Sequence, residues 1–513
     1  VRKPLGYLGA VTLVGLVSLS LATGFRFTDQ EPEPGTPPQI LYSCEVPYDV
    51  ATTTPTGFPQ QRDFDVYSWN IFFALNWPAT TATKGPAPCN LQNGVARDCN
   101  EPLPKGDYGP TVWETYKPDW AVFQGSAAGA IAPAGWTCPL DPLPGCDSVE
   151  AHDAAEARLP VLRMIIKDAN TAQEFLQAGT FAPLIDQNGS FVRFEMRMNE
   201  DEFNTIDAAK LWDSRNQTGD VNLQPEGSIP NKIVGPVEVK AAWKILTSAD
   251  DKERFHTRAV EIAWPNPDRK NKYLCKQYTM GLVGLHIAHK TRRAPQWIWS
   301  TFEQVDNYRG AHPSFNDPSC PTSKCPPNEQ PKNGPGPKPP PWNGDPRLRH
   351  APAVQVTVSN DSAAAVRRDA LALNDEVHQK LAALGSVWQY YELVSTQWPS
   401  LPYKKDGTTV AKVNEKNTLL NQGAGQTPMI LANTTMETYL MGPDAKSNTS
   451  SCMYCHSLAG TAEGDSADFS FLLAEAYPAS ASSNETAARR ALLSKMFHRN
   501  TAVGGRLTNT TKK

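Results

Sequence analysis

The chain has no excess of basic charge. Its 49 Lys and Arg against 53 Asp and Glu leave a net charge of −4, with no basic patch, which argues against a nucleic-acid partner. It has no G-x-S-x-G, no P-loop, and no G-x-G-x-x-G in the right context, so hydrolase, nucleotide and dinucleotide readings lack a motif. Beyond one apolar run near the start, no stretch is apolar enough to span a bilayer. No cysteine precedes Cys44, so a lipobox is excluded. Disorder is excluded by what is abundant: 13 Trp and 18 Phe need a buried interior, and 45 Pro point to long structured loops.

The one apolar run follows Arg2 and Lys3, covers residues 5–22 and closes on Ser20-Leu21-Ala22. Charged, apolar and small residues in that order predict a secretory signal, or an N-terminal membrane anchor if it stays uncleaved. The expected location is therefore periplasmic. Export would oxidise cysteines, and proximity along the chain suggests Cys89–Cys99, Cys138–Cys146 and Cys320–Cys325, leaving Cys44 and Cys275 for a long-range bridge.

Cys452-Met453-Tyr454-Cys455-His456 is the most specific pattern in the chain. It reads C-x-x-C-H, the attachment site of a c-type haem. Two thiols one helical turn apart form thioethers to the haem edge, and the adjacent imidazole becomes the proximal iron ligand. With ten Cys and nine His in 513 residues, roughly 0.003 matches are expected by chance. A zinc half-site would want a second Cys or His pair nearby, and a thioredoxin-like pair belongs near the start of a βαβ unit. The expected cofactor is one covalent haem c on Cys452 and Cys455, with iron on His456.

The distal ligand stays open between Met436, Met441, Met496 and His286, with Met429 and His498 as further candidates. Met496 and His498 lie two apart on a predicted helix over residues 484–500, so at most one of them reaches the iron. His286 and His289 form an H-x-x-H, a pattern with roughly 0.16 chance matches in this composition. On a strand the two face opposite sides and cannot share an ion. Glu303 and Asp306 read as strand-end carboxylates pairing with Lys or Arg. His152, His256, His312, His350 and His378 have no local companions.

Periodicity divides the rest. A helix is predicted from near Asp63 to Trp77, stopped by Pro78. Odd–even alternation from Val237 to Ile245 predicts a half-buried strand, with further strands over 255–264, 278–289 and 296–305. Twelve prolines in residues 311–349 mark a loop or linker. Val377, Leu381 and Leu384 are spaced for one face of a helix that begins at Ser362 or Asp375 and stops before Pro399. The expected fold is α+β: a β-rich central domain, antiparallel sheet or sandwich, with flanking helices and a small helical haem c unit. The expected segments are 1–24 signal or anchor, 25–62 extended spacer, 63–310 helix plus β-rich domain, 311–350 linker, 351–424 helical and 425–513 haem unit.

Several stretches resemble a family of large, single-haem bacterial proteins described as cytochrome c family proteins. They are Tyr67-Ser68-Trp69 through Leu75-Asn76-Trp77-Pro78, Val237 to Trp243, Gly284-Leu285-His286-Ile287 with His289-Lys290-Thr291, Trp297 to Glu303, and Asn433 to Tyr439. The resemblance spans about 60 to 475; it implies haem and export, and no substrate. An electron carrier with a protein redox partner is the favoured reading. The alternatives are a haem-dependent oxidoreductase, oxygenase- or peroxidase-like, with a cavity in the β-rich domain, and a haem-bearing binding or sensory module.

Overall fold

The computed structural model describes residues 38–52, 59–79, 103–126, 128–136, 161–163, 175, 177, 182–266, 268, 273–331, 345–358, 364–399, 426–428, 430–441, 450–457, 459–462 and 464–477. The apolar run at 5–22, the helix predicted over 484–500, and Met429, Met496 and His498 lie outside them. Among the described residues no helix is long and apolar enough to cross a membrane.

Strands β1 (Lys117–Pro118), β2 (Gln124–Ser126), β3 (Gly129–Ile131), β4 (Val161–Arg163), β5 (Arg193–Met198), β6 (Val237–Ile245), β7 (Thr257–Pro265), β8 (Tyr273–His289), β9 (Ile298–Gln304), β10 (Tyr391–Pro399) and β11 (Gln426–Thr427) follow in chain order. Nine of them form one sheet in the order β1-β5-β6-β8-β9-β10-β11, with β7 beside the first half of β8 and β4 on β7. Every pairing is antiparallel except β4 with β7. The fold is β-rich α+β, built on a sheet rather than a two-sheet sandwich, and β6 to β9 fall close to where alternation placed them.

The helices are α1 (Gln61–Leu75), α2 (Glu200–Ala208), α3 (Ala364–Leu384) and the single turn α4 (Cys452–His456). α1 begins in a capping box, with the Gln60 amide donating to Asp63 Oδ2 at 2.9 Å. It packs on β9 and β10, where the Ser68 hydroxyl lies 2.6 Å from those of Ser300 and Thr396, and Phe72 meets Phe302 at 4.3 Å between ring centres. α3 is locked to β10 by Asn374, which donates to the Leu393 carbonyl and accepts from its amide. Leu373, Val377 and Leu381 are buried, as the helical spacing requires, while Leu384 is half-buried.

Residues 391–399, read from sequence as part of a helical segment, are instead β10. Its sequence places Leu393 beside Val394 and then Ser395, Thr396 and Gln397 in a row, so it carries no period-two signal. In the proline-rich segment, Cys320 and Cys325 form the predicted disulfide, and Cys44 and Cys275 are also disulfide-bonded. The proposed Cys89–Cys99 and Cys138–Cys146 bridges lie outside the described residues.

Register assigns the two faces of the sheet. Ser300, Phe302, Leu285 and Ile287 face α1, so Trp299, Thr301, His286 and Ala288 face the other way. A second apolar cluster covers that opposite face, including Met198, Ala288, Trp297, Trp299, Met453, Phe469 and Leu472. The C-x-x-C-H turn sits there.

Candidate haem site

α4 is one turn long, which places Cys452 and Cys455 on one side of the turn and His456 after them. The Ser451 hydroxyl caps it by accepting from the Tyr454 amide at 3.2 Å. Gln397, projecting from β10 on the same face as Trp299, accepts from the Met453 amide at 2.7 Å and from the Ser451 hydroxyl at 3.2 Å. A sheet residue thus fixes the start of the turn.

The His456 ring is held on two sides. Its Nδ1 donates to the Phe469 carbonyl at 2.7 Å, and the ring makes a tilted contact with Trp299 at 4.2 Å and an edge contact with Phe471 at 5.0 Å between ring centres. That hydrogen bond puts the proton on Nδ1 and leaves the lone pair on Nε2, the tautomer a metal-bound histidine needs. Burial, with Lys240 and His286 nearby, pulls the imidazole down to about 4 against the opposing Phe469 bond, so the ring is neutral at neutral pH.

The carbonyl that does this belongs to a strained segment. Asp468 and Phe469 have φ of 52° and 67°, in the left-handed region that non-glycine residues avoid. Asp468 is anchored by Lys290, 2.5 Å from Oδ2 and fully buried, and by the Leu223 amide at 2.7 Å. Its carbonyl accepts from the Trp297 indole at 2.9 Å, and Trp297 is itself left-handed at φ 67°. Three strained residues therefore converge beside His456.

Both Cys452 and Cys455 are thiols. Burial, then the Glu437 carboxylate, raises both, Cys455 to about 12. Glu437 is delivered by the turn that opens at Asn433, whose side chain binds the Phe302 carbonyl while the Thr434 amide donates to Glu303 at 2.5 Å. This turn lies flat on Gly284: a Cβ there would come within 2.3 Å of Thr435 Oγ1. Glu437 Oε2 sits 3.4 Å from His286 Nε2. Burial raises the Glu437 carboxyl, but His286 and Lys240 outweigh it and hold it below the usual carboxylate range.

Cys452, Cys455, His456, Lys240 and Glu437 are each only half-buried, on a sheet face that is otherwise covered. That combination belongs to residues lining a recess, not filling a core. Two thiols, a neutral imidazole and a recess beside them form a donor set that fits a covalently bound haem.

His286 comes from β8 to this recess. His289, three residues on, faces the other way, where Tyr67 bonds its Nδ1 and the Val234 carbonyl lies 2.5 Å from its Nε2. The H-x-x-H is thus split across the sheet, and among the described residues no group of three His, Cys, Asp or Glu is arranged to hold a metal ion. Met436 is fully buried in the main core, and Met441 is 3 % exposed. Asp306 pairs with Arg254, as read from sequence, whereas Glu303 caps the Asn433 turn. Lys240, Trp299, Gln397, Glu437 and Phe469 carried no sequence signal of their own, because register and long-range turns bring them to the site. Among known proteins no family model, no curated protein and no solved structure matches this chain.

Proposed function

We propose that this chain is an exported c-type cytochrome, carrying one haem on Cys452 and Cys455 with His456 as proximal ligand, and taking part in electron transfer with a protein partner. The observation that carries the reading is the Nδ1–H of His456 held by the Phe469 carbonyl beside two thiols on one helical turn. The haem, when bound, supplies one-electron chemistry. The chain's own residues position it. Gln397 fixes the turn, Trp299 and Phe471 clamp the imidazole, and Phe469 raises the basicity of Nε2. The resemblance to the single-haem cytochrome c family supports the same reading, and the signal-like order near residues 2–22 supports a periplasmic location, released or anchored.

A haem-dependent oxidoreductase is the second reading, favoured by one observation: Lys240, His286 and Glu437 place polar groups beside the recess. Visible spectra of the purified, reduced protein with and without carbon monoxide separate the two. A six-coordinate c-type spectrum unchanged by carbon monoxide supports the carrier. Rapid carbon monoxide binding supports the oxidoreductase, and a protein without haem ends both.

A further inference from the structure

The central strands carry an irregularity that points to the iron's other ligand. Along β6 every residue is buried except Lys240, and from Gly281 to His289 on β8 every residue is buried except His286. These two are directly paired across the strands, and Met196 of β5, also half-buried, is the next residue in the row. The interruption of burial is therefore one spot on the sheet, on the face that carries Trp299 and the C-x-x-C-H turn.

At that spot His286 Nε2 lies 3.4 Å from Glu437 Oε2, an ion-pair contact. One ring nitrogen thus faces a carboxylate, as where an acid beside a metal-bound histidine orients its ring. We propose that His286 is the sixth ligand of the iron bound at Cys452, Cys455 and His456, and that Glu437 is the residue that positions its ring. The proposal rests on the cytochrome reading above.

Three relationships support it. Trp299, on the same face as His286 and one alternation along β9 from its partner Thr301, meets the His456 ring at 4.2 Å between centres, so the row lies beside the proximal ligand. Gly284, one alternation from His286 on the same face, lets the Asn433 turn approach closely enough to deliver Glu437. Among the candidates within the described residues, Met436 is packed in the main core, Met441 is buried, and His289 is bonded on the α1 face. With histidine on both sides the iron is closed to substrate and its potential lies below that of a His/Met pair.

The test uses the full-length, haem-loaded protein, with covalent haem quantified first by its pyridine complex. The ferric wild type is expected to be low-spin, to lack a methionine–iron charge-transfer band and, when reduced, to bind no carbon monoxide. His286→Ala is expected to turn high-spin and to bind carbon monoxide at saturation, with added imidazole restoring the low-spin form; Met196→Ala should change nothing. Glu437→Gln is expected to stay low-spin but to shift the electron paramagnetic g-values, a change that a purely structural role would not produce. A His286→Ala protein that stays low-spin, a methionine band lost in Met196→Ala, or a five-coordinate wild type overturns the proposal. If the alanine variant does not fold, the wild-type ligand signature alone decides. Absence of covalent haem in the wild type removes the cytochrome reading instead.

Discussion

His456 donates its Nδ1 proton to the carbonyl of Phe469, 2.7 Å away, and Phe469 adopts a left-handed backbone to offer it. A phenylalanine at φ 67° is unfavourable by about 1–3 kcal/mol and persists only where neighbours over-determine it. The neighbour that does so is Asp468, through its buried pair with Lys290.

Asp468→Ala should therefore be among the most damaging single changes near the site. It leaves Lys290 charged and buried without its partner, at a cost of about 3–5 kcal/mol. Urea unfolding checks the magnitude. A loss under 1 kcal/mol, with the His456 environment unchanged, would show that the ion pair does not support the segment.

Gly284→Ala tests how closely the Asn433 turn is laid on the sheet. The added Cβ meets Thr435 Oγ1 at 2.3 Å and Asn433 Oδ1 at 3.0 Å. We expect a loss of about 1–3 kcal/mol from overpacking. Glu437 should also lose its contact with His286, visible as a changed His286 imidazole resonance.

Glu437→Gln removes a negative charge beside the thiols and both histidines. A carboxylate near the iron favours its oxidised form, so the variant's reduction potential should rise, on the order of tens of millivolts. Potentiometric titration of both proteins measures it, and an unchanged or lower potential contradicts the placement of Glu437.

Asp65, buried in α1, makes a pH prediction with a definite sign. Burial lifts its carboxyl to about 7, against the hydrogen bonds from Thr396 and Gln61. The folded value lies above the unfolded one of about 3.9, so the protonated acid stabilises the fold. That contribution is complete below about pH 4 and is lost as pH rises through about 7. Asp65→Asn should flatten the fall in urea midpoint between about pH 4 and 7. A variant that falls as steeply as the parent places the titration elsewhere.

The fold was legible in sequence where polar residues alternate with apolar ones, even though β6, read as half-buried, is buried on both faces apart from Lys240. Val237 to Ile245 announced itself by alternation, and α1 by its aromatic run ending at Pro78. β10, packed between α1 and α3 on one side and α4 on the other, was hidden because its sequence does not alternate: Leu393 and Val394 are adjacent, and Ser395, Thr396 and Gln397 follow in a row. Of the site, C-x-x-C-H was legible because its chemistry is local. His286 stood out only as a candidate histidine, and strand geometry correctly set it apart from His289. Glu437, Lys240 and Phe469 were silent, since what gives each a role is a partner brought up by register or by a turn far along the chain. The same holds for Gln397, whose link to Met453 spans 56 residues.

The central claim is covalent haem on the turn from Cys452 to His456, and the mass of the denatured protein tests it most directly. Protein expressed with haem-attachment machinery should be heavier than its chain by one haem after unfolding and solvent extraction. The Cys452→Ala/Cys455→Ala double variant should have the mass of the chain alone, and Cys455→Ala should retain haem through a single thioether in lower yield. A wild-type mass equal to the bare chain, or a double variant that keeps its haem through denaturation, contradicts the account.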